Sequence, residues 1–542
     1  MDYLKFNHFF GLSLLSFGFQ SVSGITSEKA EIRPNILLIL ADDMGYSDIG
    51  CFGSEILTPN LDNLAQNGVR FTQFYNAARC CPTRASLLTG LYQHQAGIGD
   101  MVGDSGIPSY QGYLNISSVT LAEALKINGY NTYMSGKWHV GNRPETLPRK
   151  RGFDRYFGLI DGAGSYFQRI PYRTNQEAPR MMFDDADFNP PAQGFYMTNA
   201  ITDYAIDFLK EEQSKKKPFF LYLAYTAPHW PLHALPEDIA KYRGKYLKGW
   251  DVLRKERFAK QQKLGIIDVS TRLSERDTVV PAWDSINKEE QQMWDLRMAV
   301  YAAMVDRLDQ NIGRVVSQLE KMGELKNTLI VFLSDNGGCH ESIKNKGNYI
   351  KTTGETGTAN SFDAYETNWA NVSNTPFRMH KHWVHEGGIS TPFIAVYPEK
   401  IGAGRIYSEK AGHIIDLMPT FLAFAGGTYP ENFNGNKITP MEGISLKSVL
   451  TGGKMERKQP LFWEHEGNRA MRNGDWKLVS QYDYRNRKFM SWELYNLKTD
   501  RSELTDLSSE RPELKNKMIQ EYEQWASRVG VISKEILDNK KK

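Results

Sequence analysis

The sequence predicts an α/β fold: a large, mostly parallel mixed sheet sandwiched by helices, with a smaller C-terminal α+β subdomain of one antiparallel sheet and one helix. Continuous apolar runs of strand length recur along the chain, as expected of strands that are buried on both faces. Helical patterns lie between these runs, and such alternation is typical of a parallel sheet. After about residue 460 the chain changes to short strand candidates separated by turn residues, and a helical pattern follows over 511–529.

The four clearest strand candidates share one further property, which is that polar residues follow each apolar run. NILLIL (35–40) precedes Asp42 and Asp43, NTYMS (131–135) precedes Lys137 and His139, PFFLYLAY (218–225) precedes His229, and TLIVFLS (328–334) precedes Asp335 and Asn336. In a parallel α/β sheet, ligands bind beyond the carboxyl ends of the strands. We therefore expect one edge of one sheet to gather these side chains.

The helical segments show apolar residues at the spacing of one helix face. They cover residues 61–68, 121–129, 200–212 and 298–322, and the last of these is the longest. By contrast, residues 242–283 are charged and show little buried pattern. We expect that stretch to run over the surface.

Composition limits the classes of function. The chain has 542 residues, of which 41% are hydrophobic and 24% charged, and its formal net charge is +3. These values are ordinary for a globular protein, and so small a net charge does not indicate nucleic acid or an anionic membrane as a partner. Four dispersed cysteines do not form a disulfide framework. We predict no transmembrane segment, because no later apolar stretch is long enough.

The N-terminus has the order of a secretory signal. Lys5 precedes an apolar run over 9–19, and small residues follow at 21–24. The alternative is a buried helix, which the polar segment after it disfavours. We predict a signal peptide over residues 1–24, a catalytic domain over 30–455 and a C-terminal subdomain over 456–542. Export would place the protein in a periplasm or outside the cell.

The most distinctive segment is CCPTRASLLTG, residues 80–90. Pro82 suits the first turn of a helix, and the residues after Arg84 continue it. A tetrahedral dianion at that helix start would find free N–H groups and the positive end of the dipole. Arg84 adds a planar cation at the same place. The alternative is a buried pair, Cys80 and Cys81, at a helix start, which leaves the rest of the motif unexplained.

Asp42, Asp43, Asp335 and Asn336 supply oxygen atoms at two predicted strand ends. Hard cations such as Ca²⁺ bind several carboxylate and amide oxygens, so the four side chains suit a calcium site if the strands are neighbours. Helix-capping or turn roles are the alternative for such residues. No histidine or thiolate spacing indicates zinc.

The motif C-x-P-x-R followed by L-T-G, present here as residues 80–90, resembles the signature of the formylglycine-dependent sulfatases of the alkaline phosphatase superfamily, in particular bacterial arylsulfatase-like members. The resemblance implies an alkaline-phosphatase-like fold and a formylglycine made from Cys80 by a formylglycine-generating or anaerobic maturase enzyme. It also implies one Ca²⁺ per chain, held by the modified Cys80 and by Asp42, Asp43, Asp335 and Asn336. In that family the hydrated aldehyde attacks sulfur, and its second hydroxyl then expels sulfate.

Further family motifs imply roles for the remaining polar residues. GKWHVG (136–141) implies that Lys137 binds sulfate and that His139 assists the aldehyde hydrate. His229 would protonate the leaving group, and Lys381 would hold the sulfate from the leaving-group side. Arg84 completes the catalytic set. We assign the other histidines considered, namely His94, His380, His382 and His385, to structural or rim roles.

The substrate side is predicted from three residues. Arg79 and Glu341 are placed to reach the leaving group, and with Trp492 they resemble residues of carbohydrate-active relatives that remove sulfate from galactose at O3. We therefore predict a sulfated small molecule or glycan as substrate, with 3-O-sulfated galactose of host glycans as the candidate. The alternative is that Arg79 and Glu341 pair with each other or with the scaffold.

Three other functions stay open at this point. The first is an aryl sulfatase of broad specificity, and the second is a phosphonate or phosphate-ester hydrolase with the same nucleophile. The third is a glycan-binding protein in which Cys80 stays unmodified and no reaction occurs.

Overall fold

The computed structural model describes residues 33–212, 217–343 and 348–540, together with Leu4, Asn7, His8 and Gly11. The predicted signal peptide, residues 1–24, lies outside the described residues except at those four positions. Residues Arg33–Lys542 form one compact unit. Among the described residues, no helix is long and apolar enough to cross a membrane.

The strands form one large sheet and several small ones. Their bounds are β1 (Asn35–Ala41), β2 (Val69–Phe71), β3 (Phe74–Tyr75), β4 (Asn131–Gly136), β5 (Arg155–Leu159), β6 (Met181–Phe183), β7 (Ala186–Asp187), β8 (Phe219–Ala224), β9 (Thr328–Ser334), β10 (Phe393–Val396), β11 (Arg405–Tyr407), β12 (Gly412–His413), β13 (Asn432–Phe433), β14 (Asn436–Lys437), β15 (Leu461–His465), β16 (Asn468–Asn473), β17 (Trp476–Ser480), β18 (Tyr482–Asp483), β19 (Lys488–Phe489) and β20 (Glu493–Asn496). The large sheet has the strand order β11-β2-β10-β9-β1-β8-β4-β5-β6-β7. Its centre is parallel, from β9 through β1, β8 and β4 to β5. β10, β6 and β7 pair antiparallel, which confirms the predicted mixed sheet.

Helices cover both faces of this sheet. Their bounds are α1 (Pro59–Gln66), α2 (Cys80–Thr89), α3 (Leu121–Ile127), α4 (Met197–Glu212), α5 (Pro236–Ala240), α6 (Trp250–Lys263), α7 (Lys288–Lys321), α8 (Glu366–Ser373), α9 (Glu386–Ile389), α10 (Leu417–Ala425), α11 (Lys447–Leu450), α12 (Pro512–Val529) and α13 (Lys534–Lys540). Leu37 and Ile39 of β1 belong to a core with α1, α4 and α7. Ile36 and Leu38 point to the opposite face and belong to a core with α2, α3 and α10. Burial on both faces explains the continuous apolar run of β1.

The register of the central strands aligns their carboxyl ends. Ala41 of β1 pairs with Ser334 of β9, so residues 42 and 335 leave the sheet side by side. Gly136 of β4 pairs with Ala224 of β8, which places the segment after β4 at the same edge. Gly136 has φ 124°, and a Cβ there would lie 1.8 Å from the carbonyl oxygen of Ala224, so this exit from the sheet requires glycine.

The expected surface course of residues 242–283 is wrong. This stretch contains α6, and Tyr242, Tyr246 and Trp250 are at most 1% exposed. The Trp250 ring contacts those of Trp283 (4.6 Å between centroids) and Trp369 (5.6 Å). The buried positions of α6 have helical spacing, but Arg254, Arg257 and Gln261 occupy several of them, so the apolar pattern of this helix is incomplete in the sequence.

The C-terminal region contains the predicted antiparallel sheet and helix. The sheet order is β15-β16-β17-β20, and Trp525 of α12 stacks on Phe462 of β15 at 5.0 Å. Lys477 of β17 is fully buried and lies 2.9 Å from Glu386 and 2.7 Å from Glu503, which ties the sheet to the main body. The fold class is thereby confirmed, whereas the domain boundary at residue 456 stays a prediction.

Candidate active site

The segment before α2 presents Cys80 at the start of a buried helix. Arg79 precedes the helix in an extended conformation (φ −149°, ψ 155°), and Cys80, its first residue, is 2% exposed. All ten residues of α2 are buried, and Gly90 ends the helix with φ 70°. The first N–H groups of a helix have no partner within the helix, and the dipole there is positive. Position 80 therefore lies where a bound anion is stabilised.

Four oxygen-bearing side chains meet at the ends of β1 and β9. Asn336 Nδ2 donates to Asp43 Oδ1 (2.7 Å), and the Asp43 N–H donates to Asp335 Oδ1 (3.1 Å). Asp42 Oδ1 and Asn336 Oδ1 are buried and have no hydrogen-bond partner within the part of the chain that the structure describes. Buried polar atoms normally have a partner. Two unpartnered oxygens beside two more carboxylates fit a hard divalent cation such as Ca²⁺.

Two buried cations contact this oxygen group from the sides of α2 and β4. Lys137 Nζ lies 2.6 Å from Asp42 Oδ2. Arg84, one helical turn after Cys80, donates through Nη2 to Asp335 Oδ2 (2.8 Å) and through Nη1 to the Lys137 carbonyl (2.9 Å). Burial and the adjacent Asp42 carboxylate raise the pKa of Asp335 to about 7. Ionisation of Asp335 is thus costly unless further positive charge is present.

Lys381 and His229 contact Asp43. Lys381 Nζ lies 2.8 Å from Asp43 Oδ1, and His229 Nε2 lies 3.4 Å from Asp43 Oδ2 and 3.3 Å from Lys381 Nζ. His229 Nδ1 lies 2.6 Å from the Trp230 carbonyl, so Nδ1 carries the proton and Nε2 faces the cluster. Burial lowers the pKa of His229 to about 4. We call the following set the buried charge cluster: Asp42, Asp43, Arg84, Lys137, His229, Asp335, Asn336 and Lys381.

His139 lies on the other side of Cys80. Ligand atoms of Cys80, Cys81 and His139 all lie within 4.8 Å of one another. His139 has φ 54°, a backbone conformation that costs free energy and is common at functional sites. A hydrogen bond with Cys81 and the positive charge of Lys137 hold the pKa of the Cys80 thiol well below its usual range, although burial opposes this. The surroundings thus favour negative charge at position 80.

Comparison with known proteins assigns the family. Residues 34–427 match the sulfatase family, and residues 377–527 match the family described as N-sulphoglucosamine sulphohydrolase, C-terminal. The chain is 38% identical to an uncharacterized sulfatase of Schizosaccharomyces pombe, over 92% of this chain and 95% of that one. The chain belongs to the sulfatase family. It hydrolyses sulfuric esters.

Two further relatives support this assignment. This sulfatase is 36% identical to an arylsulfatase of Klebsiella aerogenes, over 79% of this chain and 94% of that one. The crystal structure of Ps i-CgsB in complex with k-i-k-neocarrahexaose superposes with a TM-score of 0.67 at 28% identity, covering 91% of this chain and 93% of that one. The family and the fold predicted from residues 80–90 are therefore confirmed, whereas a bacterial branch is not.

Beside the buried charge cluster, the sulfatase has a partly open group that we call the Arg79 rim: Arg79, Glu341, His382 and Glu466. Arg79 Nη2 pairs with Glu341 Oε1 at 3.0 Å, which is the pairing that the alternative interpretation of these two residues predicted. Trp230 Nε1 donates to Glu341 Oε2 at 2.9 Å. The Arg79 and Glu341 side chains are 16% and 10% exposed, so both also face solvent.

Trp492 lies in the C-terminal region. Its ring contacts that of Tyr522 (5.3 Å between centroids) and the guanidinium of Arg469 (4.3 Å). The structure thus brings Arg79 and Glu341 together but gives Trp492 partners outside the Arg79 rim. Its predicted role in substrate binding has no support from these contacts.

Sequence reasoning missed three residues that shape the site, of which Glu466 lies in the turn between β15 and β16 and contacts His382. Trp230 supplies the hydrogen bond to Glu341, and a Cβ at Gly162 would lie 2.4 Å from Cε1 of His139. Trp230 immediately follows His229, so its position next to a predicted catalytic residue could have indicated that it lies at the site. Gly162 lies in an irregular loop after β5, where glycine has many explanations, so no sequence signal was available.

Proposed function

We propose that this sulfatase acts with a formylglycine made from Cys80 and with one bound Ca²⁺, and that its substrate is a sulfated carbohydrate. One observation carries the proposal: the helix start at Cys80 and the oxygen atoms at the ends of β1 and β9 share the same set of buried cations. Arg84 links them directly, since it lies one turn after Cys80 and pairs with Asp335 at 2.8 Å.

The chain's own residues bind and orient the ester. Lys137 pairs with Asp42 at 2.6 Å, and Lys381 pairs with Asp43 at 2.8 Å. Both ammonium groups can neutralise the sulfate oxygens there, and Arg84 holds Asp335 in place. His229 Nε2 faces the cluster and holds no proton while the ring is neutral, because Nδ1 donates to the Trp230 carbonyl. Once the negative charge of a bound sulfate ester favours protonation of Nε2, that atom is placed to pass the proton to the leaving oxygen. The aldehyde hydrate supplies the attacking oxygen, and Ca²⁺, when bound by Asp42, Asp43, Asp335 and Asn336, supplies positive charge beside the sulfate.

Mass spectrometry of the peptide 79–84 from protein made in its own host tests the nucleophile. We expect the mass of formylglycine in place of Cys80. In a Cys80→Ser variant the hydroxyl can still attack sulfur but lacks a second hydroxyl to expel the product. Turnover should then fall by roughly 10³-fold or more, with sulfate retained on the introduced serine. An intact thiol together with full activity contradicts the proposal.

Calcium removal tests the metal. Dialysis against a chelator should abolish release of sulfate, and added Ca²⁺ should restore it. Thermal melting gives a readout independent of activity, because a ligand that binds only the folded state raises the melting temperature as its concentration rises. An Asn336→Leu variant, which removes one unpartnered oxygen, should lose most of that calcium-dependent shift. An unchanged shift contradicts the assignment of these ligands.

The carbohydrate assignment rests on the partly open Arg79 rim and on the relatives. Some relatives are named N-acetylgalactosamine-6-sulfatases, and one similar structure contains k-i-k-neocarrahexaose. Arg79 and Glu341 offer a donor and an acceptor beside the reacting position, as hydroxyl recognition requires. A panel of monosulfated sugars, with the 3-O-sulfate of galactose included, tests the assignment against phosphate and phosphonate esters and against aryl sulfates.

Two proposals concern biogenesis. Lys5, the apolar run over 9–19 and the small residues after it support export, and sequencing the N-terminus of the mature protein tests cleavage near residue 24. Expression with and without a formylglycine-generating enzyme or an anaerobic maturase tests which partner modifies Cys80.

A further inference from the structure

The Arg79 rim contains a second carboxylate that the proposed reaction does not use. Glu466 Oε2 lies 2.9 Å from His382 Nδ1, and the same nitrogen lies 3.5 Å from Arg79 Nη1. His382 directly follows Lys381, and its N–H donates to the carbonyl of Ala78 (2.8 Å). Through His382, Glu466 lies close to Lys381, which the proposed function places on the leaving-group side of the sulfate. Along the chain it is distant, in the turn between β15 and β16.

The protonation of His382 follows from Asn468. The Tyr482 N–H donates to Asn468 Oδ1 (3.2 Å), which fixes Nδ2 as the group facing His382 Nε2 at 3.3 Å. An amide NH₂ can only donate, so it disfavours a proton on Nε2, although its two hydrogens also face the His465 carbonyl (3.2 Å) and Tyr484 Oη (2.9 Å). The Glu466 carboxylate can only accept, so the ring proton is on Nδ1, where it is donated to Glu466. Asn468 and His382 thus hold the Glu466 carboxylate in one orientation.

This arrangement does not suit a metal ion, although His382, His465 and Glu466 have ligand atoms within 4.8 Å of one another. A metal on His382 Nδ1 would require the proton to move to Nε2, where it would face the Asn468 NH₂ group. The metal ion would also lie close to the Arg79 guanidinium, which is 3.5 Å from Nδ1 and carries the same sign of charge. The group is a hydrogen-bond chain that ends on a carboxylate.

Two observations indicate that this carboxylate serves a ligand. The Glu466 side chain is 22% exposed, and its Oε2 accepts from His382, which leaves acceptor capacity toward solvent. His465 is fully buried, and neither of its ring nitrogens has a hydrogen-bond partner in the described part of the chain.

The charges of the rim restrict what can bind. Arg79 carries one positive charge, and its ion pair with Glu341 at 3.0 Å already offsets that charge. The His382 hydrogen bond holds the pKa of Glu466 well below its usual range, despite the desolvation that opposes this. The rim therefore has a net negative charge of one, and it repels a second anionic group while accepting hydrogen bonds from hydroxyls.

We propose that Glu466, positioned by His382 and Asn468, is a specificity residue that accepts hydrogen bonds from sugar hydroxyl groups. It favours a sugar whose only charged group is the reacting sulfate, and it disfavours sugars with a second sulfate or a carboxylate beside that ester. The inference rests on the proposed function, since it names the substrate class of the same site.

The test compares the calcium-loaded, formylglycine-containing enzyme with its Glu466→Gln variant. The probes are galactose 3-, 4- and 6-sulfate, the disulfated form of the one turned over fastest, and 4-nitrophenyl sulfate. We expect Glu466→Gln to lose roughly 10- to 100-fold in kcat/KM on the monosulfated sugar, mainly through KM, and less than about threefold on the aryl ester. Its preference for the monosulfated over the disulfated sugar should shrink by about tenfold. Glu442→Gln, which alters a carboxylate paired with the exposed Arg528, is the matched control and should change neither value.

Variants of His382 separate positioning from a structural role. His382→Asn keeps an N–H donor close to the Nδ1 position and should regain part of the sugar activity that His382→Ala loses, at equal melting temperature. Two results with Glu466→Gln would overturn the inference: equal losses on sugar and aryl esters, or an unchanged preference between mono- and disulfated sugars. A wild-type enzyme that turns over the aryl ester but none of the sugars would also overturn it. Each of these results leaves the sulfatase mechanism intact. Stoichiometric zinc that is lost on His465→Ala would also overturn the inference. If the modified wild type releases sulfate from no ester, the proposed function itself fails.

Discussion

In the proposed mechanism, the buried charge cluster and the Arg79 rim bind opposite ends of the same ester, and the two regions are built differently. In the cluster, Asp42, Arg84 and Lys137 are fully buried, and each contacts an opposite charge within 3.5 Å. In the rim, Arg79 and Glu466 are 16% and 22% exposed. Charges without access to water interact strongly, whereas partly solvated charges interact weakly and depend on geometry for their effect.

This difference teaches how one scaffold can keep a reaction while its substrates vary. The cluster is supplied by strand ends and by α2, which the register of the central sheet holds in place. The rim combines the residue before α2 with loops after β9 and before α9 and with a turn of the C-terminal sheet. If the proposed roles hold, we expect changes in those loops to alter leaving-group recognition while the groups assigned to sulfate binding stay in place.

The largest effect that distinguishes the two regions should come from Lys137→Ala. The variant removes a cation 2.6 Å from Asp42 and leaves that carboxylate buried with less compensation. We expect kcat/KM to fall by roughly 10³-fold on sugar and aryl sulfates alike, because both share the sulfate group. Lys126→Ala, which removes a half-exposed partner of Asp154, is the control and should have no effect on either substrate. A loss confined to sugars would mean that Lys137 acts on the leaving group.

An intermediate effect should come from Gly162→Ala. The new Cβ would lie 2.4 Å from the His139 ring, so the imidazole must move, whereas a Cβ at Gly164 meets its nearest neighbour at an ordinary 3.6 Å. We expect Gly162→Ala to lower kcat by roughly 10- to 100-fold for both substrate types with little change in KM. Gly164→Ala is the matched control two residues away. Equal behaviour of the two variants would show that the position of His139 does not limit turnover.

Much of the cluster could be predicted from the sequence because its residues directly follow buried strands. Asp42 and Asp335 leave neighbouring parallel strands, and any sheet with that strand order brings them together. The motif at Cys80 and Arg84 adds the helix that faces them. Periodicity and strand ends are local signals, and they were sufficient for these residues. Lys381 follows no strand, and only the family resemblance placed it at the site.

The rim could be predicted only in part. Arg79 was accessible because it precedes the motif, but Glu466 lies in a turn between short strands, and its approach to His382 depends on how the C-terminal sheet packs on the main body. The error over residues 242–283 has a different cause, because buried polar residues such as Arg254 and Arg257 interrupt the apolar pattern of α6. A pairing between two loops, such as that of His382 with Glu466, leaves no periodic trace in the sequence.

The smallest effect, and the one that best resolves the rim, should come from Trp230→Phe. The substitution keeps an aromatic ring but removes the N–H that donates to Glu341 Oε2 at 2.9 Å, so the carboxylate loses one orienting hydrogen bond. A hydrogen bond of this kind contributes about 1 kcal/mol, so KM for a sulfated sugar should rise about two- to fivefold while aryl sulfate kinetics stay unchanged. Trp525→Phe is the control, because the Trp525 N–H has no hydrogen-bond partner in the described part of the chain and its ring lies in the C-terminal core. If Trp230→Phe impairs both substrates equally, then Trp230 acts through its neighbour His229. Trp230 would then belong with the buried charge cluster and not with the Arg79 rim.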